Sequence, residues 1–239
     1  MKKYYLAVIS LLCLGAGMAQ AQSYSSTPPP NTPPPPGAGM YILPPDTGLY
    51  FRAGAGPSFY QDGRLTYFGA PASASVHYET GVAGDAAVGW AFNRYVSVDF
   101  QTGFQGTRID DVSGYTQFHS DVYDVPFLGN ITLSYPIPRT FIVPYIGAGG
   151  GGADTFFHAH DFSDGVTTVY GEENDVVYAW QAFGGLRFQL APNMWLGAEY
   201  RYFTTGDTTY SYPPSPNFNV GFQGVRTHSI LFTFEWKFW

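Results

Sequence analysis

The chain is poor in charge and nearly free of cysteine. Its 239 residues include 11 Lys and Arg, 18 Asp and Glu, and one cysteine, so only 12% are charged. A soluble domain usually carries about 25% charged residues, so much of this surface is not built to face water. A lone cysteine excludes a disulfide framework and a thiolate metal site. The excess of acid argues against a clustered basic face of the kind that grips phosphate backbones, and no nucleic-acid partner is expected. Long apolar runs are also missing. Beyond the N-terminal leader, no segment approaches the roughly 20 apolar residues of a transmembrane helix.

The leader explains itself. Lys2 and Lys3 precede the uncharged run Tyr4 to Met18, and Ala19-Gln20-Ala21 supplies small residues for cleavage before Gln22. Residues 1–21 are therefore expected to be a secretory signal peptide. Cys13 lies inside it, and Leu12 stands where a lipoprotein signal wants a small residue. The mature chain then has no cysteine, nine basic and 18 acidic residues, and a formal charge of −9. An exported, charge-poor chain without a spanning helix has one way to satisfy its backbone in lipid, a closed β-barrel.

What is abundant fits that deduction: 18% aromatics, 29 Gly and 19 Pro. The prolines concentrate in residues 22–47, including Pro28 to Pro30 and Pro33 to Pro36, which reads as an extended periplasmic linker. From Gly48 the pattern acquires a period of two. Eight alternating segments are expected, near Gly48–Phe59, Tyr78–Phe92, from Val96 past Gln105, Val122–Tyr135, Thr140–Ala153, Val176–Leu190, Met194–Thr204 and Arg226–Phe238. Short turns at Asn93-Arg94, Pro136 to Arg139 and Ala191 to Asn193 alternate with loops of roughly 15–22 residues, the layout of an outer-membrane barrel. The expected fold is an all-β, eight-stranded antiparallel up-and-down transmembrane barrel over residues 48–239.

The polar faces of these strands carry Arg52, Asp85, Asp99, Arg187, Glu199, Arg201, Glu235 and Lys237. Four are acidic and four basic, and eight-stranded barrels are about filled by their own side chains. A mutually paired interior charge network is expected rather than an open pore. The outward aromatics Trp90, Phe92, Tyr95, Tyr135, Trp195, Trp236 and Phe238 cluster near strand ends, as an interfacial girdle requires.

Four motifs invite chemistry. Gly147 to Gly152 matches a G-x-G-x-x-G pattern, but no helix follows it, as dinucleotide binding demands. His158-Ala159-His160-Asp161, with Asp164, Glu172, Glu173 and Asp175, reads as a solvated acidic loop, and no metal or other cofactor is expected. His228-Ser229 suggests a hydrolase pair, but neighbours on a strand point to opposite faces and cannot meet. Asn130-Ile131-Thr132 matches a glycosylation sequon, lies mid-strand and is assigned no role.

Four runs carry a resemblance: Tyr50-Phe51-Arg52-Ala53-Gly54-Ala55-Gly56, Pro144-Tyr145-Ile146-Gly147-Ala148-Gly149, Ala198-Glu199-Tyr200-Arg201-Tyr202-Phe203, and Ser229 to Phe238. In order and spacing the region from Gly48 to Trp239 resembles the small outer-membrane β-barrels that include opacity-type adhesins and the OmpA barrel domain. The resemblance implies the outer membrane of a Gram-negative bacterium. It also implies a C-terminal signal, Ile230, Phe232, Phe234, Trp236 and Phe238, read by barrel-assembly machinery; the chain departs from that pattern in having Trp239 after Phe238. The expected function is non-enzymatic, envelope-structural and/or adhesive, with a lipid A deacylase or acyltransferase and a narrow channel as the alternatives. The expected partners are outer-membrane lipids and lipopolysaccharide, and a host or environmental ligand for loops bearing Tyr60, Tyr67, Tyr115, Tyr170, Tyr210 and Tyr212.

Overall fold

A computed structural model describes residues 47–67, 70–112, 120–163, 168–211 and 219–238. The expected signal peptide and proline-rich linker, 1–21 and 22–47, lie outside these residues except for Thr47, as does Trp239. Among the described residues every regular element is a strand. Eight form a closed barrel: β1 (Gly48–Tyr60), β4 (Thr80–Ala91), β5 (Val96–Val112), β6 (Ser120–Ser134), β7 (Ile142–Ser163), β8 (Thr168–Ala191), β9 (Met194–Thr205) and β12 (Arg226–Lys237). Each pairs antiparallel with the next, and β12 returns to β1 with Phe51 opposite Trp236 and Ala53 opposite Phe234. Closure leaves no unpaired edge, which lipid demands.

The pattern of two dictates which side faces lipid. On β9, Leu196, Ala198 and Tyr200 are exposed while Trp195, Glu199 and Arg201 are buried. On β12, Ile230, Phe232 and Trp236 are exposed while Thr227, Ser229, Leu231, Thr233 and Glu235 are buried. A soluble barrel would show the reverse. The polar interior and apolar exterior are those of a transmembrane barrel, whose outer band is about 25 Å tall.

Two of the three short connections end the strands by local chemistry. Asn93 Oδ1 accepts hydrogen bonds from the amides of Tyr95 (2.8 Å) and Val96 (2.9 Å), closing the turn between β4 and β5. Between β6 and β7, Thr140 Oγ donates to the Ile137 carbonyl at 3.0 Å, and Arg139 takes a left-handed φ of 64°.

The expected long loops are in part regular structure. Two hairpins, β2 (Gly63–Tyr67) with β3 (Ala70–Tyr78) and β10 (Thr208–Ser211) with β11 (Asn219–Phe222), join through β11 and β2, and β3 pairs with β5. The first and last loops thus continue the sheet above the barrel. The third does the same, because β7 and β8 stay paired to Ser163 opposite Thr168, well past the expected end at Ala153. The physical reason is shared. Above the membrane no lipid imposes alternation, and backbone pairing alone extends the ladder.

One expected outward aromatic faces the other way. Trp195 is 4% exposed and lies inside, sharing parity with Glu199. Register outranked residue type there, and Lys237 Nζ rests 5.1 Å from its ring centroid.

Candidate functional site in the barrel lumen

Inward side chains from seven of the barrel strands meet in one network, centred on Arg52. Its guanidinium donates to Glu199 Oε2 at 3.3 Å and to Gln101 Oε1 at 3.4 Å, lies 3.9 Å from Asp99, and packs over the Phe183 ring at 5.3 Å. Glu199 also accepts from Tyr145 Oη (2.9 Å), Arg201 Nε (3.1 Å) and Arg201 Nη2 (2.5 Å). Arg201 reaches on to Asp85 at 2.7 Å. On the other side Tyr50 Oη donates to Asp99 at 2.8 Å. Asn130 Nδ2 donates to Asp99 at 2.7 Å and to Gln101 at 2.9 Å. Gln181 Nε2 donates to Gln101 at 2.8 Å and to Asn130 Oδ1 at 2.7 Å. Gln101, Gln181 and Glu199 are each 1% exposed, so these bonds work in a water-poor environment where polar groups need partners.

The eight charged residues singled out in the sequence therefore fall into three places. Arg52, Asp85, Asp99, Glu199 and Arg201 form the central cluster. Arg187 pairs with Glu235 and donates to Ser134 nearer the periplasmic end, packed on the Tyr145 ring at 4.7 Å. Lys237 stands over Trp195 at the periplasmic mouth. Alternation alone missed that the neutral residues Gln101, Asn130, Gln181, Tyr50 and Tyr145 tie the charges together. Asn130, given no role as part of a sequon, makes three of the lumen bonds.

The run Gly147 to Gly152 belongs to this wall. A side chain at Gly149 would collide with Asn130 Oδ1 and the Gly129 carbonyl, whereas one at Gly150 would meet nothing nearer than 3.7 Å. Glycine at 149 lets the lumen amides close across the barrel, a close-approach role.

Toward the extracellular end the lumen stays polar and buried, with Ser58, Gln105, Asp124, Thr155, Thr227 and Ser229. Ser229 Oγ donates to Ser58 at 3.0 Å and Thr227 Oγ to Gln105 at 3.2 Å. Asp124, fully buried and opposite Thr155 in the β6–β7 register, was not singled out by the sequence. Outside the spanning strands, burial first and then Asp124 and Asp62 push the Tyr78 phenol above its ordinary value, keeping it neutral. His228 lies on the lipid side, bonded to Tyr200 Oη and Gln61 Nε2, each at 2.6 Å. His228 and Ser229 thus stand on opposite sides of the wall. The side chains of the His158 to Asp161 stretch lie outside the described residues, and among the described residues no three His, Asp or Glu gather as a metal site.

A closed wall, an apolar outer band and a charge-bonded interior define a membrane-spanning β-barrel. The chain belongs to the outer membrane protein β-barrel domain family, whose model matches residues 9–238. It is accordingly a protein of the Gram-negative outer membrane. The solved structures agree on the fold. OprG of Pseudomonas aeruginosa superposes with a TM-score of 0.57 at 12% identity, over 82% of this chain and 100% of that one. Neisserial surface protein A gives 0.51 at 14% identity, over 80% and 97%. The outer membrane protease OmpT of Escherichia coli gives 0.52 at 9% identity, over 80% and 97%. A comparison with curated proteins returns no match.

Proposed function

We propose that the protein is a non-enzymatic outer-membrane barrel with a plugged lumen, whose work is envelope-structural and/or adhesive and is done at its extracellular surface. The observation that carries this reading is the network through Arg52, Glu199, Gln101 and Asn130, which links seven barrel strands across the interior. Ions would have to break several charge-assisted bonds to pass it. The hairpins β2–β3 and β10–β11 join the first and last loops into one sheet, a firm platform for display. Outer-membrane lipids and lipopolysaccharide are its surroundings in this reading, and the C-terminal strand ending in Trp236 and Phe238 engages the assembly machinery.

The enzymatic alternative needs a nucleophile within reach of a base. His228 faces lipid with Tyr200 and Gln61, while Ser229 faces the lumen with Ser58. That geometry favours the non-enzymatic reading. Two measurements test it. The purified protein in planar bilayers should give no discrete current steps; regular steps would sink the plugged-lumen reading. Lipid A from cells with and without the gene should have identical mass spectra; a missing or added acyl chain would establish an enzyme.

A further inference from the structure

Outward from the central network the lumen changes character twice. Along β6 the buried residues run from Asn130 through Leu128 and Pro126 to Asp124, and on β9 Phe203 follows Arg201. Leu128 and Phe203 pack with Ala153 and Ala179 into an apolar layer. Beyond that layer the interior turns polar again. Asp124 stands opposite Gln105 on β5 and Thr155 on β7. Thr227 Oγ donates to the Gln105 amide oxygen at 3.2 Å. Tyr60 and Tyr78, with ring centroids 5.6 Å apart, lie within electrostatic range of the Asp124 carboxylate.

Asp124 is 0% exposed, and neither of its oxygens takes a hydrogen bond from a protein group. The Tyr60 hydroxyl is also buried and makes none. No Lys or Arg of the chain serves the carboxylate. Nine follow the leader. Arg52 and Arg201 are held in the central network, across the apolar layer. Arg187 and Lys237 lie nearer the periplasm, and Arg94 and Arg139 stand on or beside the periplasmic turns. Arg64, Arg108 and Arg226 are exposed on the extracellular side. Among the described residues, the lumen from the network outward thus sets Asp85, Asp99, Glu199 and Asp124 against only the guanidiniums of Arg52 and Arg201. A carboxylate buried so deeply needs a counter-charge. Its surroundings offer neutral oxygens, the amide of Gln105 and the hydroxyls of Thr155 and Tyr60, and an all-oxygen set suits a hard cation. One carboxylate among neutral oxygens balances one positive charge.

We propose that Asp124 binds a single hard monovalent metal cation, taken up from the extracellular side, with oxygens of Gln105, Thr155 and Tyr60 completing its shell. The ion goes no farther, because Leu128 and Phe203 close the path beneath it. This goes beyond the surface role proposed above and does not rest on it, since the site lies in the outer half of the lumen whatever the loops display.

Sodium serves as the probe, with the full mature protein in phosphatidylcholine vesicles. Urea unfolding is followed as sodium chloride replaces choline chloride at fixed ionic strength, because choline is too large for the site. Once sodium exceeds its dissociation constant, each further tenfold rise should raise the folding equilibrium constant about tenfold, the slope of one ion per barrel. Asp124→Asn keeps the shape and removes the charge, and it should abolish the sodium response in a barrel that still shows heat-modifiable migration. Thr155→Val removes one oxygen at similar volume and should raise the sodium needed for half the effect about tenfold, which keeps the proposal testable if Asp124→Asn fails to fold. Equal stability in sodium and choline overturns the proposal, as does an undiminished sodium response in either folded variant. A response to calcium without one to sodium also overturns it. So does stabilisation by acid in choline alone without any by sodium, since Asp124 would then be a neutral carboxylic acid.

Discussion

Glu199→Gln is the most direct probe of the lumen. The carboxylate accepts from Arg201 at 2.5 and 3.1 Å, from Arg52 at 3.3 Å and from Tyr145 at 2.9 Å, at 1% exposure. The amide keeps one acceptor, loses the charge and turns an N–H₂ toward guanidinium donors. Removing one partner of a buried ion pair costs about 3–5 kcal/mol. Arg52 keeps Asp99 at 3.9 Å and Arg201 keeps Asp85 at 2.7 Å, which places the expected loss at the lower end, about 3 kcal/mol. With a guanidinium slope of about 4 kcal/mol per molar, the unfolding midpoint should fall by a little under about 1 M. The assay is the fraction of heat-modifiable barrel in lipid vesicles after equilibration in guanidinium, with unfolding and refolding branches both recorded. Arg108→Gln is the control, because Arg108 is 78% exposed beside Asp121 and such pairs contribute less than about 1 kcal/mol. An unchanged midpoint for Glu199→Gln would refute the reasoning, since the charges would then be solvated rather than dependent on one another.

Three further outcomes follow from the same wall. Gly149→Ala should destabilise the barrel by about 2 kcal/mol or more by displacing Asn130, whereas Gly150→Ala should stay within about 0.5 kcal/mol, measured in the same guanidinium titration. Phe238→Asp should lower the fraction of folded barrel in the outer membrane, because Phe238 stacks on Trp236 at 5.7 Å between ring centroids at the end of the closing strand; normal insertion would remove it from the assembly signal. Asn130→Ala should cost about 2 kcal/mol through orphaned lumen partners, although its position reads as a glycosylation sequon, and an unaltered midpoint would exclude it from the network.

The barrel was legible because lipid enforces alternation. Tyr200 and Tyr202 lie on the outward side while Glu199 and Arg201 are inside, and the closing strand behaves alike. The hairpins were not legible, since segments such as Ala70-Pro71-Ala72-Ser73 have no apolar face to alternate; their order comes from backbone pairing between distant loops. Alternation also says which residues enter the lumen without saying which of them meet. Arg52 and Glu199 are 147 residues apart, and their encounter depends on the stagger of the strands. The neutral amides are not legible because they carry no charge to mark them. Asp124 escaped for the converse reason, as its inward neighbours Val122, Pro126 and Leu128 are apolar and hide the one acid among them.

Charge in the lumen is a costly filling, and register explains its use. A one-residue slip of β9 would send Glu199 and Arg201 into lipid and bring Tyr200 and Tyr202 inside. An arginine at the bilayer midplane costs about 2–4 kcal/mol, so every inward charge penalises the wrong pairing. An apolar lumen has no such penalty, because both faces would then suit lipid. Replacing Arg52, Asp85, Glu199 and Arg201 together with apolar residues of similar volume should therefore separate two quantities. The unfolding midpoint should change little, because well-packed apolar groups often match a buried ion network. The fraction of chains that refold to a single barrel species in vesicles should drop, with new bands of altered gel mobility. If the apolar variant refolds as uniformly as the parent, the network does not specify register, and its role is confined to filling and closing the lumen.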